Sequence, residues 1–503
     1  MESCLDTPDE NYKPINLGAN INTSDSEFAP FISADGAILF FSATKRETNI
    51  GGRRDDGDIY FSKLMEDGSF SEAENIGEPI NSAGGETIIS VTPDGNTILF
   101  SRKYRNLNED GTWENLIFIS NKTKEGWCNP KPVNIRDWDD GSPSVVNSAL
   151  YSLGSDGKTL IIGVRRLDGF GDMDLWVSFK ENNTTFSKPI NLGNVINTKR
   201  LEYAPCLAPD MKTLYFSSNG HGGLGGRDIF KSTRLDDTWI NWSKPENLGS
   251  TINTYKDEYY YSVSAIGDYA FVATFFNSLG ILDICKIPLT KSAKPKPVVL
   301  VSGKIINSKD NKFIEAAITY ENMATGEKLG IANSNPDDGN YLIVLPGGGV
   351  YGFMAEVPGY YPISENIDLS DITENSNLKK DLYLNPLEKG SIIKLNNLFF
   401  EFNQFTLKPE SFSELNRLAK LVNKSNTMEL QINGHTDNVG EEDYNLQLSK
   451  NRANEVKEYL LKNGVSEKQI KTKGYGSEKP LVGNDTENGS LQNRRVEFII
   501  LKK

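Results

Sequence analysis

Pro14-Ile-Asn-Leu-Gly-Ala-Asn-Ile-Asn-Thr23 is a phrase that keeps returning. Residues 73–82 read AENIGEPINS, 189–198 read PINLGNVINT, and 245–254 read PENLGSTINT. A degraded copy, KPVNIRDWDD, occupies 131–140. Successive copies begin 56–59 residues apart. A fixed period of this size is the signature of a propeller or a solenoid.

Between phrases the same order recurs. An apolar strand comes first, Phe28–Ile32 or Tyr203–Leu207. A turn dipeptide follows, as in Asp35-Gly36, Asp94-Gly95 and Asp156-Gly157. A second strand (Ile38–Ser42, Thr213–Ser217) leads through a Gly-rich loop to a third (Asp58–Phe61, Asp228–Phe230). The phrase is the fourth strand, and its proline, which cannot donate to a ladder, suits an edge. Four antiparallel strands per repeat make a propeller blade. The last unit, Tyr259 to about Thr290, has three strands and lacks the phrase, whereas the N-terminus has a phrase with no strands before it. Joining them completes a fifth blade and leaves no edge open. The expectation is a five-bladed β-propeller over 14–292, behind a tail of residues 1–13; six blades is the alternative count. The unit resembles the WD40-like PD40 repeats of TolB and of Bacteroidota envelope proteins, most weakly in the second unit, where Trp113–Ile117 replaces the usual Gly-Gly-x-Asp-Ile.

This region offers little chemistry. Residues 220–225, GHGGLG, fit a dinucleotide fingerprint, but they join two strands and open no helix, so a hairpin loop is expected. Asp58, Asp174, Asp228 and Asp283 recur at one position in separate repeats, which predicts a repeated hydrogen bond to backbone N–H groups and not a calcium site. With only two histidines, His221 and His435, and no GxSxG, neither a zinc site nor a serine triad is expected. No metal and no cofactor is expected.

After the Pro/Lys linker 291–297, short strands at 8–12-residue spacing predict a β-sandwich over 298–387. Its run GNYLIVLPGG…YGFMAEVPGYYP resembles the carboxypeptidase-regulatory-like, transthyretin-like domain, which implies a spacer or binding module without peptidase chemistry.

Residues 390–503 change pattern again. Strands are predicted at Leu395–Phe402, Met428–Ile432, Ile470–Tyr475 and Val496–Leu501. Pro409 opens one amphipathic helix, with Phe412, Leu415, Leu418, Ala419 and Val422 on its apolar face. A second runs from about Tyr444 to Lys462 and is ended by Gly464. The order is β-α-β-α-β-β. FEFNQFTLKPE (400–410), INGHTDNVG (432–440), YNLQLSKNRANEVKEYL (444–460), GYGSEKP (474–480) and NRRVEF (493–498) together resemble the OmpA-like peptidoglycan-binding domain. The resemblance implies a peptidoglycan ligand whose stem ends in an ammonium and a carboxylate. It places Asp437 on the ammonium and Arg452, which can be bidentate, on the carboxylate. It adds Asn445 as a polar contact, with Thr436 and Asn403 lining the pocket. Arg494 and Arg495 either touch the ligand or cap the last strand. His435 is expected to orient the loop.

The net charge of −14 disfavours nucleic acid and anionic lipid surfaces. It is uneven: 390–503 carry 17 basic and 15 acidic residues, a net of +2, and the rest carries −16. A chain of 503 residues exceeds one core, so several domains are expected. No run reaches the roughly 18–20 apolar residues of a membrane span, and the opening Met-Glu-Ser-Cys-Leu-Asp is not signal-like, although a mature chain would read the same. Cys128, Cys206 and Cys285 read as small buried hydrophobes. Cys4 heads an acidic tail and is either a lipid-bearing cysteine or a plain thiol.

The expectation is therefore a mainly β, multidomain, non-catalytic protein of the periplasm or outer membrane. It would hold peptidoglycan at its C-terminus and recruit a protein partner with the propeller. The domain order resembles the PorE-type lipoproteins of type IX secretion, without their tetratricopeptide domain. The alternatives are a glycan-binding propeller and, last, a wall hydrolase.

Overall fold

A computed structural model describes residues 13–503 except 55, 105–113, 139–149, 266, 276–277, 324, 396–397 and 402–403. The protein is mainly β and multidomain, with α-helices only beyond residue 411 among the described residues. It divides into two compact units. The first comprises residues up to 304 together with 329–349 and 369–380. The second comprises 305–328, 350–368 and 381–503.

In the first unit the repeats form consecutive antiparallel sheets. Glu27–Ile32, Ile38–Ala43, Asp58–Lys63 and Glu74–Asn75 make one, and Glu202–Leu207, Thr213–Ser218, Asp228–Thr233 and Glu246–Asn247 another of the same order. In the last, Tyr259–Val263, Tyr269–Thr274 and Asp283–Pro288 are joined by Ile15–Asn16 from the N-terminus, with Ile15 opposite Lys286. The first strands of successive sheets are neighbours: 27–32 beside 85–91, then 150–153, 202–207 and 259–263, which lies beside 27–32. Three of them carry a bulge with a left-handed non-glycine residue at a matching place: Ala29, Ala204 and Tyr260. Together they line a cavity of about 100 Å³ whose walls include Pro30, Tyr151, Pro205 and Tyr260.

The recurring phrase is a hydrogen-bond lock. Asn197 donates its amide to the Leu175 carbonyl and accepts from the Leu175 N–H, both within 2.9 Å, so it closes on the third strand like an extra strand residue. The same amide reaches Asn191, which accepts from Gly193 N–H and donates to Asp174. Asn22, Asn81 and Asn253 repeat the pattern on Ile284, Ile59 and Ile229. Asp58, Asp174, Asp228 and Asp283 each accept from loop N–H groups (Ile50, Phe170, Leu224, Leu279) and from the phrase asparagine. The phrase threonine or serine then binds a buried glutamate four residues on: Glu27, Glu86, Glu202 or Glu258. GHGGLG lies in the loop between Thr213–Ser218 and Asp228–Thr233.

Cys285 is buried, and burial pushes its thiol and that of Cys206 up to about 12. Cys128 corrects the expectation of burial, because it follows the short edge strand Gly126–Trp127 and is exposed. Val298–Lys304 pairs antiparallel with Asn340–Pro346 and parallel with Ser376–Lys379. Ala34, Ala265, Val298, Leu300 and Val344 pack as one cluster of this unit.

In the second unit, Ala317–Asn322, Val350–Glu356 and Ile363–Asp368 form consecutive antiparallel ladders. The C-terminal region carries β1 (Ile392–Lys394), α1 (Phe412–Asn423), β2 (Glu429–Gly434), α2 (Glu442–Lys462), β3 (Ile470–Gly474), α3 (Glu487–Asn493) and β4 (Val496–Lys502). The sheet order is β1-β4-β2-β3, with β2 and β3 parallel. The first strand pairs three residues earlier than the predicted 395–402, where among the described residues only Phe400 makes a bridge, to Leu407. Pro409 opens a 3₁₀ turn, and the α-helix proper starts at Phe412. Leu415, Leu418, Ala419 and Val422 are buried as predicted, but Phe412 lies 37% exposed and stacks on Tyr459 of α2. The short α3, capped by Thr486, is absent from the sequence reading because Asn488 and Gly489 break its helical propensity.

Candidate functional site

The C-terminal ends of parallel β2 and β3, the start of β4 and one face of α2 converge. Glycine makes the convergence close. A Cβ on Gly434 would sit 2.1 Å from the Ser449 carbonyl, and one on Gly474 would sit 2.7 Å from Lys450 N. Helix α2 therefore lies directly on both strand ends, and Ser449 Oγ accepts the Gly476 N–H at 2.9 Å. The chain leaving β2 is held on two sides: His435 N–H donates to Arg495 O and Thr436 N–H to Gly476 O.

Asp437 lies three residues past the end of β2, with its side chain 9% exposed. Its Oδ2 accepts from Arg494 Nη1 at 2.6 Å, and its Oδ1 takes only a longer, 3.2 Å contact from Val439 N–H. Buried Asn445 donates to the Val439 carbonyl at 3.0 Å, tying this loop to α2. Arg452 stands midway along α2, over the ring of Phe400 with its Nε donating to Gln404 O. Burial lowers the Arg452 pKa from its ordinary value and Arg494 adds to this, while Tyr444 and Asp437 oppose both. Arg452 thus feels Asp437 without pairing with it; the ion pair falls to Arg494. The Nη groups of Arg452 have no partner among the described residues. Thr436 Oγ1 is buried and likewise unpartnered.

Asp437, Arg452, Asn445, Thr436 and Arg494 are therefore brought together: one carboxylate, two guanidinium groups and a spare hydroxyl. Arg495 is not among them. It points the other way, onto Glu497 and the Lys479 carbonyl. Asn403 and Cys4 lie outside the described residues. Among the described residues no group of three or more His, Cys, Asp and Glu is arranged to hold a metal ion. No helix there is long and apolar enough to cross a membrane.

The description "OmpA family" matches residues 399–494. The chain is 35% identical over 143 residues to the peptidoglycan-associated lipoprotein of Buchnera aphidicola, covering 28% of this chain and 80% of that protein. The chain belongs to the OmpA family. It is also 39% identical over 98 residues to outer membrane porin F of Pseudomonas fluorescens, covering 20% of this chain and only 30% of the porin. A solved peptidoglycan-associated lipoprotein from Burkholderia pseudomallei is 28% identical over 20% of this chain and 87% of its own, with a TM-score of 0.20.

Behind the OmpA-family site, His435 and Arg495 meet two residues that the sequence did not single out, Tyr475 and Glu497. His435 stacks on Tyr475 (8° between planes, centroids 5.2 Å apart). Its Nε2 is 3.2 Å from Glu497 Oε1, within ion-pair reach but off the line of a hydrogen bond. Burial acts to raise the Glu497 pKa, but His435 and Arg495 overcome it and hold the carboxyl down to about 2. NRRVEF offered one signal: the alternation along β4 puts Arg495 and Glu497 on the same face.

Proposed function

We propose that this protein is a non-catalytic anchor of the cell envelope that grips peptidoglycan with its OmpA-family domain. Asp437 takes the ammonium and Arg452 the carboxylate at the free end of a diaminopimelate-type stem. Asn445 and Thr436 shape the pocket, and Asn403, outside the described residues, is a lining candidate by the family resemblance alone. The observation that carries the reading is the unpaired Nη edge of Arg452 beside a buried carboxylate that has acceptor capacity left on Oδ1. A planar anion suits that edge. Arg494 already shares Asp437, so it belongs to the pocket, whereas Arg495 supports the strand.

The repeat region, read as a five-bladed propeller over 14–292, recruits a protein partner, and residues 298–387 act as the spacer before 390–503. Support for the propeller comes from the cyclic neighbourhood of the first strands and from the N-terminal strand on the last sheet. The setting is the periplasmic side of the outer membrane, with Cys4 as a lipid anchor and type IX secretion as the candidate pathway.

The test is co-sedimentation with purified sacculi. Asp437→Ala and Arg452→Ala are each expected to weaken pelleting at least tenfold, about 1.4 kcal/mol or more, with the thermal unfolding profile retained. Wild-type pelleting by both variants would exclude the site.

A further inference from the structure

The first unit holds a second cavity, of about 610 Å³, far larger than the one between the first strands. Its floor is one face of the sheet formed by Val298–Lys304, Asn340–Pro346 and Ser376–Lys379. Register puts Ser302 opposite Leu342 and beside Lys379, and Lys304 opposite Asn340, so these side chains share that face. The other wall comes from the first two repeats: Phe40, Phe61, Ile76, Trp127 and the turns at Asp35 and Asp94. The volume is in the range of ligand sites.

Several of the polar groups that line the cavity already take part in hydrogen bonds. Asp35 accepts from Ser33 Oγ and Ala37 N–H. Asp94 accepts from Thr92, Asn96 and the Asn333 N–H. Asn335 accepts from Asp337 N–H, and Asn340 donates to Asp338. Four lysines, Lys63, Lys122, Lys304 and Lys379, line the groove beside the carboxylates of Asp35 and Asp94. Lys63, Lys122 and Lys379 form no ion pair among the described residues. The Lys63 ammonium lies 6.0 Å from the Phe61 ring centroid. Four ammonium groups around an aromatic wall are an exception on a chain of net charge −14.

We infer that this groove binds an extended acidic peptide segment of a partner protein, with carboxylates on the lysines and an apolar side chain against Phe61 and Trp127. A neutral sugar fits less well, because it brings no charge to meet the lysines. The inference rests on the reading that the repeat region recruits a protein, and it is independent of wall binding.

The experiment titrates the full chain, by calorimetry, with acetylated pentapeptides Asp-Xaa-Glu-Xaa-Asp in which Xaa is Leu or Phe. A lysine-for-acid counterpart and trigalacturonate serve as controls. Expected are binding of the acidic peptides that weakens at least tenfold in Lys63→Glu/Lys122→Glu and with added salt, and no change in Asp437→Ala. Exposed Lys379→Glu alone carries the test should the double variant fail to fold. No binding of either acidic peptide, equal binding of the lysine peptide, indifference to the charge reversals, or tighter binding of trigalacturonate would each overturn the inference. Envelope proteins captured equally by wild type and by the charge-reversed chain would leave recruitment standing while removing this groove from it.

Discussion

At the scale of single residues, the C-terminal domain separates charges that the sequence runs together. Arg494 and Arg495 are adjacent, yet one meets Asp437 at the site and the other meets Glu497 behind it. The junction of two elements does this: Arg494 is the C-terminal cap of α3, and Arg495 is the residue that leads into β4. Glu497 gives a signed pH dependence. Its folded pKa, about 2, lies below the ordinary 4.5, so its contribution is fully present above about pH 4.5. The contribution is lost as pH falls toward 2. Calorimetric unfolding of the second unit is expected to lose stability over that window. Glu497→Gln is expected to be less stable at neutral pH by on the order of 2 kcal/mol and to show a flatter acid limb. An unchanged acid limb would remove Glu497 from the account. The site was legible unevenly at this scale. Asp437, Asn445 and Arg452 stood in motifs that announced them. Arg494 stood in one too, but its pairing with Asp437 was not legible, because its guanidinium arrives from 57 residues downstream.

At the scale of elements, the repeated phrase acts as a polar clasp more than as a strand. Its paired segment is only two residues long in each sheet, while its last asparagine makes two backbone hydrogen bonds to the neighbouring strand. Asn197→Ala would strand the Leu175 N–H and C=O in a buried place. A cost of about 2–3 kcal/mol is expected, measurable by urea unfolding, against little effect for exposed Asn194→Ala. Gly434→Ala tests helix docking: a methyl 2.1 Å from the Ser449 carbonyl must push α2 off the strand ends. Both weaker thermal stability and weaker sacculus binding are expected, since α2 carries Asn445 and Arg452. The sequence disclosed the clasp's period but not its bonding. It misplaced β1, because Leu395–Phe402 has the more apolar run, yet the ladder forms where the chain lies against β4. Local preference gave way to register.

At the scale of the molecule, the decisive contact is Ile15 opposite Lys286, with Asn22 clasping Ile284. Deleting residues 13–24 would remove a strand and a clasp from the last sheet and bare the edge of Asp283–Pro288. Lower urea resistance and concentration-dependent light scattering are expected of that variant; a deletion that unfolds like the full chain would show the N-terminal strand to be dispensable. The same contact has a consequence for how the chain is made. Asn16 must wait for Asp283, 267 residues later, before its side chain finds its partner. At about 5–20 residues per second on the ribosome, that wait is roughly 13–53 s, during which the N-terminal strand has no sheet to join. A nascent chain therefore carries Ile15–Asn16 uncommitted over that interval, and a chaperone has that time in which to act.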